Sequence, residues 1–321
     1  MKDFEKKMNE LGKRKEPFLF ILDFELKTPH VIPLNKVNSR EILYQLRSKR
    51  NHVFDPKPIE RPVLNIKPVP KKIYCEAFSL IRQGISHGDS FLTNLTMPAK
   101  VELDLSLKDI FTAVTAKYKL YFKDLFVVFS PEPFVLITSG KIRSFPMKGT
   151  IDAAVPRAEE KLLSDHKELS EHYTIVDLIR NDLSMVAKNV KVNRFRYIEK
   201  VKTHQGALLQ MSSEISGELP DNYQEQLGTI FRKLLPAGSI SGAPKKKTVE
   251  MIKKAEPYDR GFYTGVFGIF DGQNVESAVM IRFLEKTQNG YIYKSGGGIT
   301  AYSRCEDEYD ELIKKIYVPF A

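Results

Sequence analysis

Hydrophobic positions along this chain follow two spacings. Residues 18–24, FLFILDF, form an unbroken apolar run of strand length, which predicts a buried strand. Ile73, Tyr74, Ala77, Phe78 and Ile81 recur at helical spacing, and the two glycines of GISHGD (84–89) are expected to end that helix. LFVVFS, PFVLIT and KIRSFP (125–146) read as a strand series, with Ser139-Gly140 turning the last pair. Residues 158–175 are acidic and helix-favouring, and Tyr223, Leu227, Ile230, Phe231 and Leu234 predict a further amphipathic helix. Residues 262–295 read as a meander with turns at DGQN and KTQNG, and the segment from Cys305 onward reads as a helix. Five prolines between 55 and 70 (Pro56, Pro58, Pro62, Pro68 and Pro70) argue for an extended connector. Strands cluster around hairpin turns with helices between the clusters, so the predicted class is α+β with mainly antiparallel sheets.

Composition narrows the function. At 321 residues, 42% hydrophobic and 28% charged, the chain is long enough for a sizeable core. No apolar run approaches the roughly 20 residues that span a bilayer. The start, MKDFEKKMNELGKRKEP, is charged where a secretory leader would be apolar. Cys75 and Cys305 make neither a disulfide framework nor a zinc cluster, so free thiols in a reducing, cytoplasmic setting are expected. The net charge of +10 suits a solvated lysine-rich surface, an anionic substrate or nucleic acid. The basic residues are scattered and no aromatic-basic recognition motif accompanies them, which favours the first.

Several stretches carry residue types suited to chemistry. The small-residue loop of PAGSISGAPK (236–245) precedes a helix, with Pro244 expected at its first position, and could present backbone N–H groups to an anion. SGGG (295–298) follows a strand: either a turn or a backbone that a ligand approaches closely. Alternation along SAVMIRFLE puts Ala278, Met280 and Arg282 on one face, where a guanidinium wants a carboxylate, internal or bound. Glu168 with Glu171, and Glu308 with Glu311, stand three apart on predicted helices, so each pair shares a face. Two such faces across a cleft could hold Mg²⁺. Lys148 sits in SFPMKGTID between a stiff proline and a flexible glycine, beside apolar residues. It is either an idle turn lysine or an amine made nucleophilic by desolvation and nearby cations.

Taken in order, these stretches resemble the chorismate-utilising enzymes. The landmarks are NLT (94–96), SPEPF (130–134), PMKGT (146–150), SEHYTIVDLIRNDLS (170–184), PAGSISGAPK (236–245), YTGVFG (263–268) and SGGGITAYSRCEDEYDELIKK (295–315). The resemblance implies two large, mainly antiparallel sheets packed together with flanking helices, as in anthranilate synthase component I. Residues 70–318 would form the chorismate-binding catalytic domain, and 1–69 a short N-terminal segment of the same fold. Within the family the turn P-M-K-G-T is most similar to the aminodeoxychorismate synthase branch, which leads to para-aminobenzoate and folate; anthranilate synthases usually carry alanine in place of the lysine. Relatives that add water use a base lysine at the position of Leu92, so that base is missing here.

The resemblance also implies site roles. Lys148 would be the covalent nucleophile and Glu132 the acid. Gly149, Thr150, Gln210, Ser241, Tyr263, Arg282, Gly296, Gly297, Gly298 and Lys315 would bind substrate. Glu171 and Glu311, with Glu168 and Glu308, would hold Mg²⁺. Gln210 stands where relatives often have histidine, and Pro133 where arginine is common. DLIRND (177–182) is expected to pair internally and position Glu171. Neither cysteine has the setting of a glutaminase nucleophile, so ammonia is expected from a separate glutamine amidotransferase subunit. Anthranilate synthase component I is the nearest alternative, and a basic nucleic-acid-binding module the remote one; no nucleic acid or membrane partner is expected.

Overall fold

The apolar run at 18–22 becomes a strand buried on both faces. Phe18, Phe20 and Leu22 point into one core and Leu19 and Ile21 into another, which is why no polar residue alternates with them. The computed structural model describes residues 2–53, 64–164, 166–203 and 206–320. Two antiparallel sheets, each of nine strands among the described residues, dominate it. The first runs, in spatial order, Met147–Asp152, Gly206–Glu218, Lys141–Ser144, Pro133–Thr138, Val275–Val279, Val266–Phe270, Phe18–Leu22 and His30–Pro33, with Lys188–Thr203 also on Gly206–Glu218. The second runs Gly242–Ala243, Leu92–Glu102, Gly290–Ile299, Phe283–Thr287, Phe126–Ser130, Tyr118–Phe122, Ile42–Leu46 and Lys49–Arg50, with Asn65–Lys67 on Leu92–Glu102. A core of Leu19, Ile21, Tyr44, Leu120, Phe126, Phe267 and Phe283 joins them. The α+β class with two packed antiparallel sheets is therefore the observed one.

Among the described residues, eight helices flank the sheets: α1 (Asp3–Lys13), α2 (Lys71–Ser86), α3 (Leu107–Ala113), α4 (Ala158–Ser164), α5 (His166–Ser184), α6 (Leu227–Leu234), α7 (Lys245–Ala255) and α8 (Cys305–Lys314). None is long and apolar enough to cross a membrane among the described residues. Most of the proline-rich segment lies outside the described residues; Asn65–Lys67, at its end, pairs as a short strand.

Four expectations need correction. Gly84 does not end α2: the helix continues to Ser86, and Gly84 lies against Met251, where a Cβ would come 2.4 Å from Met251 Cε. Pro244 precedes α7 in extended geometry rather than opening it. The segment VESAVMIRF is not one strand. It leaves the first sheet after Val279 and enters the second at Phe283, and Arg282 at the crossing takes φ +55°. The alternation assigned across it breaks there. Finally, Cys75 on α2 and Cys305 at the start of α8 are bonded to each other, 230 residues apart in sequence. Both helices cover the same face of strands Leu92–Glu102 and Gly290–Ile299, which brings their Cα atoms to 5.9 Å. Sequence distance concealed that proximity.

Candidate active site

Lys148 lies in a β-bulge, not in a tight turn. Strand Met147–Asp152 pairs Met147 with Ser212 and Thr150 with Gln210, so Lys148 and Gly149 together oppose one residue. Gly149 takes φ +77°, a conformation that glycine adopts without strain. The bulge re-aims the Lys148 side chain off the sheet and into a cavity of about 660 Å³ between the two sheets' ends.

The opposite wall is strand Gly290–Ile299. Gly296, Gly297 and Gly298 pair in register with Thr96, Leu95 and Asn94, so the glycines belong to a strand rather than a turn. Their value is close approach. A Cβ on Gly298 would sit 3.1 Å from Lys148 Nζ, and one on Gly297 3.4 Å from Glu308 Oε2 and 3.6 Å from Glu311 Oε1. Helices α5 and α8 bring Glu168 and Glu171, and Glu308 and Glu311, to this cavity from two sides.

Lys148 Nζ donates to Glu171 Oε2 at 3.1 Å, with both side chains largely buried. Burial alone would push this ammonium down. The Glu171 carboxylate, its hydrogen bond, and Glu168 and Glu311 outweigh burial, and the pKa stands above the ordinary lysine value. The carboxylates around Nζ thus act opposite to the cations expected to lower it. Four carboxylates are hard oxygen donors of the kind Mg²⁺ takes. As placed, no three acidic or histidine groups among the described residues are gathered closely enough to hold an ion; Lys148 Nζ stands among them. The donor chemistry fits Mg²⁺.

The sheet crossing sets the third wall. Arg282 enters the cavity beside Tyr263, with its guanidinium 5.2 Å from the Tyr317 ring centre. Its Nε is buried and has no hydrogen-bond partner among the described residues. Such a donor calls for an anionic acceptor. Glu132, in the neighbouring crossing between Phe126–Ser130 and Pro133–Thr138, accepts from the Val279 N–H through its carbonyl at 3.2 Å. Its side chain is raised above the ordinary carboxyl value, chiefly by burial, and the Ser239 hydrogen bond, Lys148, Arg282 and Lys315 only partly offset it. Lys315 Nζ bridges Glu311 Oε1 (2.6 Å) and the Gly296 carbonyl (3.1 Å). Gln210 and Thr150 line the rim as cross-strand partners.

Of the residues expected to act in catalysis or to bind substrate or metal, only Ser241 stays away from the cavity. It is fully buried and its hydroxyl donates to the Ala237 carbonyl at 2.8 Å; Ser239 is the loop's serine that faces inward. Asp182 in DLIRND pairs with Lys245 at 2.9 Å, an internal tie as expected, whereas Arg180 pairs with Asp177 on the surface. Sequence reasoning missed His172. It is wholly buried, its Nε2 lies 2.7 Å from Ser213 Oγ, and burial, with Arg196 and Lys148 nearby, pushes it down to about 4. Neutral at pH 7, it ties α5 to strand Gly206–Glu218 beside Glu171. Asn94, in the NLT landmark but given no site role, and Lys294, which went unnoticed, also lie on the cavity wall; nothing in the local pattern of Lys294 separates it from ordinary strand residues.

A model of the family described as chorismate binding enzyme matches residues 33–320. The chain is 49% identical over 317 residues to an uncharacterised PabA-like protein of Pasteurella multocida, with 98% of each chain covered. It is 30% identical over 259 residues to aminodeoxychorismate synthase component 1 of Bacillus subtilis, covering 76% of this chain and 54% of that one. The fold matches the crystal structure of anthranilate synthase component I from Streptococcus pneumoniae with a TM-score of 0.68 at 26% identity, over 79% of this chain and 58% of that one. On this match across most of its length, the chain belongs to the chorismate binding enzyme family.

Proposed function

We propose that this enzyme aminates chorismate at C4, giving 4-amino-4-deoxychorismate for para-aminobenzoate synthesis, with ammonia delivered by a glutamine amidotransferase subunit. Relatives carry both the aminodeoxychorismate and the anthranilate synthase names, so similarity alone does not choose. The observation that supports the choice is Lys148, an amine delivered by a bulge into the family's cavity where a purely binding pocket needs none.

In the mechanism, Arg282 and Tyr263 hold one carboxylate of chorismate against the glycine strand. Mg²⁺, which Glu171 and Glu311 would hold with Glu168 and Glu308, would supply charge to grip the ring carboxylate. Lys148 first passes its proton to solvent, which requires Glu171 to release the ammonium. The lone pair of Nζ then forms a bond to C2. The C1=C2 pair moves to C1=C6, the C5=C6 pair moves to C4=C5, and the C4–O bond breaks. Glu132, whose carboxyl burial raises toward the protonated form, gives its proton to the departing hydroxyl, which leaves as water. Ammonia adds at C4, the double bonds shift back, and the C2–N bond returns its pair to Lys148. Two allylic displacements replace one hard substitution.

Mass spectrometry of the product from chorismate, ammonium and Mg²⁺ tests this reading. The expected product retains the enolpyruvyl group and gives para-aminobenzoate only after a lyase is added. Fluorescent anthranilate with released pyruvate would assign the chain to the other branch.

A further inference from the structure

Several segments that wall the cavity converge on a buried ion pair that does not itself line it. Arg260 and Glu256 have side chains only 2% and 1% exposed. The guanidinium grips Glu256 with both fork ends, Nε to Oε2 at 2.8 Å and Nη2 to Oε1 at 2.6 Å. Its remaining donors reach the Asn94 carbonyl (2.7 Å), the Ile240 carbonyl (2.9 Å) and Thr264 Oγ1 (3.3 Å). Asn94, Ile240 and Thr264 all line the cavity, from three separate segments. The Arg260 carbonyl accepts from Lys294 Nζ at 3.1 Å, which adds the glycine strand. Glu256 Oε1 in turn accepts from the backbone N–H (2.9 Å) and hydroxyl (2.8 Å) of Thr96, whose oxygen lies 2.6 Å from Tyr258 Oη. Thr264 sits at φ +61°, unfavourable for a β-branched residue, directly after Tyr263. Contacts must hold it there.

The geometry points to Arg260, braced by Glu256, as a positioning residue that sets the separation of the Asn94, Ile240 and Tyr263–Thr264 walls and so the cavity's grip on chorismate. Only a planar fork with five donors meets these acceptors at once; a lysine can reach one or two. The inference rests on the reading of the cavity as the chorismate site. It requires no contact between Arg260 and substrate.

The test compares Arg260→Lys with Lys119→Met, a buried-cation change on the far side of the second sheet, away from the cavity. Chorismate consumption and direct chorismate binding by calorimetry are measured on folded protein. Arg260→Lys should raise KM and the dissociation constant about tenfold, more than it lowers kcat, because misplaced walls weaken binding. Lys119→Met should leave KM unchanged. Tyr258→Phe, a milder loosening of the same network, should move KM in the same direction by a few-fold and serves if Arg260→Lys does not fold. A merely structural role would lower the active fraction and leave KM and affinity alone in both network variants, which would overturn the inference. Should the product be anthranilate, the proposed reaction fails while the shift in chorismate affinity still decides this point. If wild type binds no chorismate, both fall.

Discussion

Arg260 and Arg282 lie on either side of one cavity wall, and their surroundings are opposite. Every terminus of Arg260 is met by protein: a bidentate carboxylate, two carbonyls and a hydroxyl. Arg282 lies against Tyr317 on the cavity wall and keeps a buried Nε with no partner among the described residues. A buried cation is costly unless its hydrogen bonds are met. Where the fold meets them, the charge serves shape; where it leaves one open, the charge awaits a ligand. The same contrast orders the carboxylates, since Glu256 is locked into a buried network outside the cavity while Glu171 faces the cavity and pairs with Lys148 there.

That contrast breaks most sharply at Lys148. Lys148→Ala should keep the fold and lower amination by about a thousandfold or more, the scale on which removal of a covalent nucleophile acts. Product formation per folded molecule checks it, and unchanged turnover removes the covalent step. Glu132→Gln should cost about a hundred- to a thousandfold. Its pH dependence carries the sign: an acid raised by burial stays protonated to higher pH, so the rate of wild type falls as pH rises through that pKa. Glu132→Gln should lose that alkaline fall, as a pH–rate profile would record.

Arg282→Met sharpens the comparison from the other side. Losing an open charge-assisted contact should weaken chorismate binding about 10- to 100-fold. It should lower the melting temperature only slightly, because the fold loses the Tyr317 contact but no partner of Nε, and a desolvated charge is removed. Calorimetric binding and thermal unfolding of one preparation read both. A large loss of stability would mean that Arg282 is a structural cation like Arg260.

These contrasts also separate what the sequence could reveal from what it could not. Lys148, the glutamate pairs and the glycines stand in short motifs whose residue types are odd for their local setting, and all reach the cavity. The α+β class follows from turns and alternation, which are local signals. The sheet crossing at Met280–Arg282 is invisible to alternation, since a period of two says nothing about which sheet a strand joins. Ser241 and Ser239 share one loop and differ only in which points inward. The Glu256–Arg260 pair reads as an ordinary helix-end ion pair until residues some 160 positions away arrive to use it. The cysteine bond was hidden for the same reason.

Lys119 supplies the mildest test, with no expected effect on turnover. It is 1% exposed, donates to the carbonyls of Phe111 and Val114 at 3.0 Å each, and lies 4.8 Å from the Phe111 ring centre. Burial, with Arg50 nearby, pushes it down to about 8 from 10.5. Between those values the unfolded chain binds more protons than the folded one, so stability should rise with pH across the window, by at most about 3 kcal/mol. Above pH 10 the buried tyrosines, Tyr263 and Tyr293 among them, are raised in the fold and reverse the trend, so the useful interval is 8 to 10. Denaturant midpoints of Lys119→Met should lack the rise that wild type shows there. Parallel curves for the two proteins would mean that this cation is as well accommodated in the fold as Arg260.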